Sequence, residues 1–177
     1  MKNVVPLRRC VRNFSKEIMN WDVFRAYDIR GTYPDQINEE DYYRTAKAYV
    51  YLFKPKTMVV GMDARLSSPV LKTGLTRGFL DAGVDVVDIG QITTDMLYYT
   101  VGASSEYSGG IVVSASHNPV QYNGMKMVRE KATAISSDTG LFDIRDALKA
   151  GKTLKSLPIK KGPAPSATYS TIISNTF

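Results

Sequence analysis

Cys10 is the only cysteine, so no disulfide can close within the chain, and a reducing, cytoplasmic setting is expected. No apolar run approaches the ~20 residues that a membrane-spanning helix needs, which argues against a membrane partner. There is no internal repeat and no low-complexity tract. No Gly-x-Ser-x-Gly elbow occurs, and the single histidine, His117, stands directly beside a serine, which is poor support for a hydrolase triad. The excess of positive charge is also thinner than it looks. The formal net charge is +6, from 23 basic and 17 acidic residues. Residues 1–18 carry Lys2, Arg8, Arg9, Arg12 and Lys16 against Glu17, which leaves only +2 for the rest. A nucleic-acid-binding domain needs its basic face built into the fold, so no nucleic-acid partner is expected. What is present is ordinary globular material: 177 residues, 44% hydrophobic and 23% charged, enough for one domain with a core.

The most informative stretch is Ser114-Ala115-Ser116-His117-Asn118-Pro119 with Tyr122-Asn123-Gly124-Met125-Lys126 after it. The apolar run Gly109-Gly110-Ile111-Val112-Val113 leads in, and Met125, Met127 and Val128 lead out. Asn-Pro favours a turn, so the two arms read as neighbouring strands around a short loop. Pairing across that loop would bring Lys126 back towards Ser116. Ser116 offers an oxygen nucleophile that needs a base or cation to activate it. Lys126 offers a cation for phosphate, or a base if its pKa is lowered. His117 offers a proton donor or shuttle, and Asn118 a hold on the turn or on a phosphate oxygen. The competing reading of each residue alone is a polar turn held by its own hydrogen bonds.

Along the rest of the chain, strands alternate with helices, which sets the class as α/β: a three-layer α/β/α arrangement with a mixed sheet of about four strands. Phe24–Gly31 reads either as an edge strand with an Asp28–Arg30 surface pair, or as a site in which Arg30 and Tyr27 meet a phosphoryl group. Asn38 and Asp41 form a capping box, with Ile37 and Tyr42 as a staple, before a helix whose apolar face is Tyr43, Ala46, Val50 and Phe53. Thr57–Gly61 is a short buried strand. Arg65, just beyond it, is either a partner for Asp63 or a ligand group at a strand's carboxyl end. Ser68 caps a helix with Pro69 at its first position and Leu71, Leu75 and Phe79 as its core stripe, while Gly74 and Gly78 allow close approach. Gly83 ends that helix, and Val84–Gly90 is the next strand. Thr94 caps a third helix. Ser137 or Asp138 caps the last one, with Leu141, Ile144 and Leu148 on one face, until Gly151 stops it.

Four stretches, in order from about Trp21 to about Leu148, resemble the α-D-phosphohexomutases, the phosphomannomutase/phosphoglucomutase family. They are Phe24–Gly31, Gly61–Ser68, Asp81–Gly90 and the loop Ser116-His117-Asn118-Pro119 with Tyr122-Asn123-Gly124-Met125-Lys126. Met125–Glu130 and Ser137–Leu141 are most similar to the bacterial phosphomannomutases. The resemblance implies intramolecular phosphoryl transfer on hexose phosphates through phosphoserine at Ser116, with hexose 1,6-bisphosphate as activator and intermediate. It implies Lys126, Arg30 and His117 as catalytic groups and Tyr27 and Asn118 as substrate-binding groups. It also implies Mg²⁺, bound in part through the phosphate on Ser116. Asp95 stands where the family usually carries proline. Only the first of four family domains is resembled, and no Asp-Gly-Asp-x-Asp stretch is present, so the main metal ligands and sugar recognition are expected in missing C-terminal domains. The expected layout is therefore a basic leader or an early start call over 1–18, domain I over 19–150, and over 151–177 a linker with the start of a helical segment towards a second domain. Other readings are a sugar-phosphate-binding module without turnover and, if the leader is real, a role on DNA.

Overall fold

In the computed structural model, which describes residues 19–152 and the backbone of 169–171, strands alternating with helices build one mixed sheet between two helical layers. The elements in order are β1 (Ile29–Thr32), α1 (Glu39–Phe53), β2 (Thr57–Met62), α2 (Ser68–Leu80), β3 (Asp85–Gln91), α3 (Thr94–Gly102), β4 (Gly109–Val113), β5 (Tyr122–Arg129), α4 (Phe142–Lys149) and β6 (Tyr169–Thr171). The sheet order is β1-β5-β4-β2-β3-β6. β4, β2, β3 and β6 run parallel, while β5 is antiparallel to both β4 and β1.

The sheet has six strands rather than about four. Phe24–Gly31 does supply an edge strand, because Gly124 on β5 lets β1 come close: a Cβ there would stand 2.2 Å from the Ile29 carbonyl oxygen. Residues 169–171 form a strand on the edge of β3, not the start of a helix, since the exposed edge of a parallel sheet offers backbone partners that an isolated turn lacks. The expectations for residues 1–18, and for most of the linker, lie outside the described residues.

The strand period of two divides the core. Met58, Val60, Ile111, Val113, Met125 and Met127 face α1, α2 and α4. Val59, Val112 and Val128 face α3, where Leu97 and Val101 meet them. On α1 the buried stripe is Tyr42, Ala46 and Tyr49, not one led by Tyr43, whose hydroxyl reaches the surface to donate to Asp81. The capping box at Asn38 and Asp41 is present, and Ile37 and Tyr42 are both fully buried. Leu71, Leu75 and Phe79 are fully buried on α2. Gly74 and Gly78 let α2 touch α1 directly, since a Cβ at either position would stand 2.3 or 2.5 Å from a carbonyl oxygen of Glu39 or Tyr43.

Two caps fall one residue earlier than expected, Ser67 rather than Ser68 and Thr93 rather than Thr94, whereas α4 starts only at Phe142, after a short π-helical turn over Ser137–Leu141 that Ser136 precedes. The Ser68 hydroxyl donates to the Asp63 carboxylate at 2.6 Å and accepts from Asn123, while Ser67 occupies the cap position without a side-chain bond to a helix amide. No helix among the described residues is long and apolar enough to cross a membrane.

Two buried tyrosines give opposite tests. The Tyr49 hydroxyl donates to the Val128 carbonyl oxygen at 3.1 Å, whereas the Tyr42 hydroxyl has no partner among the described residues. Tyr42→Phe should therefore stabilise the fold and Tyr49→Phe destabilise it, each by about 1 kcal/mol in urea denaturation. Burial raises both phenols above their ordinary value of 10.0. The folded state then holds their protons more tightly than the unfolded chain does, so stability is complete below about pH 10 and falls as pH rises further. Either substitution should make that alkaline fall shallower.

Candidate active site

The parallel pairing of β2 with β4 and the antiparallel return of β5 bring three strand ends together. The carboxyl ends of β2 and β4 and the amino end of β5 lie along one edge of the sheet. The loop 114–121 crowns this edge. It starts from a strand buried along its whole length and becomes exposed at Ser116 and His117.

Ser116 has φ +56, a left-handed conformation that few residues with a side chain adopt. Its amide donates to Ser114 Oγ at 2.9 Å. Its hydroxyl lies 3.1 Å from His117 Nδ1. Among the described residues no carboxylate is hydrogen-bonded to His117, so the pair lacks the orienting acid of a hydrolase triad. Asn118 turns inward, with Nδ2 donating to the Ala115 carbonyl oxygen at 2.9 Å and so closing the turn.

The loop is tied to the rest of the domain from below. Asn123, fully buried, donates from Nδ2 to the hydroxyls of Ser67 and Ser68 at 2.8 and 2.9 Å and accepts from the Gly124 amide. Asp63 accepts from Ser68 Oγ and from the amide and Nε of Arg65. The Arg65 guanidinium then reaches four loop carbonyl oxygens: Pro119 at 2.8 Å, Tyr122 at 3.1 Å, Ser116 at 2.9 Å and Asn118 at 2.7 Å.

Arg30 and Lys126 form a second cluster. Ile29, Met125 and Met127 point into the main core, so alternation sends Arg30 and Lys126 to the opposite face of the sheet. Both cations share one oxygen, Asp28 Oδ2, at 2.5 and 3.1 Å. Asp28 is buried, and the Nε of Arg30 is buried without a hydrogen-bond partner. Tyr98 on α3 faces this cluster; its phenol is raised by burial first, then by the negative charges of Asp95 and Asp28. Lys126 lies opposite Val112 in the ladder and pairs with Asp28 rather than with Ser116. Tyr27 is 74% exposed and stands clear of these contacts.

Local sequence marks Asp28 only as one half of a surface pair with Arg30 and gives no separate role to Ser114, Ser67 or Asn123. Asp28 carried a weak signal, an acid among aromatic and basic neighbours. The roles of Ser114 and Ser67 depend on contacts that spacing does not encode.

Comparison with known proteins places the domain in a family. The family model described as phosphoglucomutase/phosphomannomutase, alpha/beta/alpha domain I, matches residues 22–155. A phosphomannomutase of Salmonella montevideo is 49% identical over 132 residues, covering 75% of this chain and 29% of that protein. A Klebsiella pneumoniae phosphomannomutase is 51% identical over 122 residues, covering 69% of this chain and 77% of that one. The crystal structure of a phosphoglucomutase/phosphomannomutase family protein from Burkholderia thailandensis superposes with a TM-score of 0.72 at 29% identity, over 87% of this chain and 33% of that chain. The chain thus spans under a third of the length of several relatives it matches.

Removing the shared counter-charge tests the second cluster. Asp28→Asn leaves Arg30 and Lys126 facing each other. It should cost about 1–2 kcal/mol of stability, after allowance for partial solvent screening of the two cations. Urea titrations at low and high ionic strength should show the loss shrinking in high salt, as repulsion between the cations is screened.

Proposed function

Because the chain belongs to the phosphoglucomutase/phosphomannomutase family through an α/β/α domain I, we propose that it supplies the phosphoryl-carrying loop of a hexose-phosphate mutase. The reaction is the reversible interconversion of hexose 1-phosphate and hexose 6-phosphate. The observation that carries this reading is Ser116: an exposed hydroxyl in a left-handed turn, at the end of a buried strand, on a loop braced from below.

In this reading Ser116 rests as phosphoserine. The bond between phosphorus and Oγ breaks as a sugar hydroxyl bonds to the same phosphorus, and the hydroxyl proton leaves to a base. The resulting hexose 1,6-bisphosphate turns round and returns its other phosphoryl group to Ser116. Arg30 offers charge for the phosphoryl oxygens from a side chain that stays 22% exposed beside Asp28. Lys126 acts as acid and base, with Asp28 holding its ammonium in place. His117, at 3.1 Å, holds or moves a proton at Oγ. Asn118 shapes the turn, which leaves its carboxamide oxygen for a sugar hydroxyl. Tyr27 offers an exposed ring at the rim for the sugar.

Magnesium does not find a complete site here. Among the described residues no group of three histidine, cysteine, aspartate or glutamate side chains could hold a metal ion. The carboxylates of Asp28 and Asp63 are engaged by Arg30, Lys126, Arg65 and Ser68. The ligand this chain would offer is the phosphate on Ser116; the others, with sugar selection and grip on the non-reacting phosphate, would come from the remaining domains of the enzyme, in a cytoplasmic setting. On its own the chain should then turn over weakly or not at all, because transfer depends on positioning and charge neutralisation together.

Intact mass and peptide mapping before and after exposure to hexose 1,6-bisphosphate test the proposal. One phosphate on Ser116, absent from Ser116→Ala, is the expected result. In a complete enzyme carrying this domain, Ser116→Ala should abolish turnover. Binding of the bisphosphate with no gain of mass, and no turnover even in the complete protein with Ser116 intact, would instead mark a sugar-phosphate-binding module.

A further inference from the structure

We infer that Arg65 is the positioning residue of the Ser116 loop: it holds Ser116 in its left-handed conformation and turns the following peptide outward, and it does not itself bind the phosphoryl group. A guanidinium has five N–H donors in a rigid plane. Arg65 uses all five: one on Asp63, and four on the carbonyl oxygens of Ser116, Asn118, Pro119 and Tyr122. No donor remains for a ligand, although the residue stands at the strand end where ligand groups gather. Its side chain is only 13% exposed, and its carboxylate partner is itself anchored by Ser68.

The geometry of the turn explains what this arrangement does. A left-handed residue with a side chain carries a conformational cost that its surroundings must offset. At Ser116 the two restraints are the Ser114 hydroxyl on its amide and Arg65 on its carbonyl. In a trans peptide the C=O and the next N–H point in opposite directions. With the Ser116 carbonyl turned towards Arg65, the amide of His117 is turned away from it. That amide makes no hydrogen bond among the described residues. The loop therefore presents a main-chain donor beside Oγ, on the side opposite the guanidinium, where it faces the oxygens of a phosphoryl group on Ser116. This last step rests on the phosphoserine reading; the shaping of the loop does not.

Lysine keeps the charge but cannot reproduce a planar five-donor fork, so Arg65→Lys and Arg65→Gln in the full chain separate charge from geometry. Hydrogen exchange read by mass spectrometry should show peptides covering 114–122 losing protection by about tenfold or more in both variants, with the sheet and helices unchanged. Phosphorylation of Ser116 by hexose 1,6-bisphosphate should slow by about tenfold or more in both, lysine giving no rescue. Unchanged loop exchange in folded variants would overturn the assignment, as would an unchanged phosphorylation rate alongside a mere drop in Tm. If neither variant folds, the wild-type chain decides by NMR. Separately resolved Nη protons of Arg65 support the five-donor clamp, and a single averaged signal refutes it. If Ser116 accepts no phosphate in any form while loop protection still falls, the positioning role stands and the phosphoserine reading fails.

Discussion

β4 is the element on which the rest depends, because it changes the direction of the sheet. It is buried along its whole length and pairs parallel with β2 on one side and antiparallel with β5 on the other. A parallel neighbour brings its own carboxyl end to the same edge, and an antiparallel neighbour brings its amino end. Asp63 and Arg65 after β2, Ser114 and Ser116 after β4, and Asn123 at the start of β5 therefore meet without any long loop. The Asp63 amide extends the ladder onto the Val113 carbonyl oxygen at 2.9 Å, so the two loops leave the sheet in step.

The site then divides by face. One half is a hydrogen-bonding scaffold beneath the loop, in which the paired Asp63 and Arg65, with Asn123, Ser67 and Ser68, leave little freedom for the turn. The other is a charged pair of strands, β1 and β5, whose outward residues Arg30 and Lys126 converge on Asp28. Placing two cations on one carboxylate oxygen concentrates positive charge in a partly buried spot, where it is screened less than at the surface. In the proposed reaction this cluster would offer its charge to a dianionic phosphoryl group. The residues that hold the loop and those that gather round Asp28 are thus separate sets.

Much of this was visible in the order of residues. The unbroken apolar runs Met58–Val60 and Ile111–Val113 mark strands whose two faces are both covered, and the spacing of Leu71, Leu75 and Phe79 marks a helix face. The capping box at Asn38 and Asp41 is local chemistry and was readable as such. The caps at Ser67 and Thr93 fall one residue before Ser68 and Thr94 because adjacent hydroxyls look equivalent to local spacing. β6 was missed because a three-residue strand has no pattern of its own; it is a strand only because the edge of β3 is there to pair with.

By itself, the sequence determined the α/β class, the hairpin around Ser116 and the set of polar residues carried at its tip. Those features depend on periodicity and on neighbours a few positions apart. Only the tertiary structure decided that Arg65 serves the loop, that Asp28 is a shared counter-ion and that Lys126 faces it rather than Ser116. These assignments join positions about 50 to 100 residues apart, through strand register and the choice of sheet face. A one-residue change of register would reverse every such choice while leaving the local pattern intact, so no reading of local spacing could have made them.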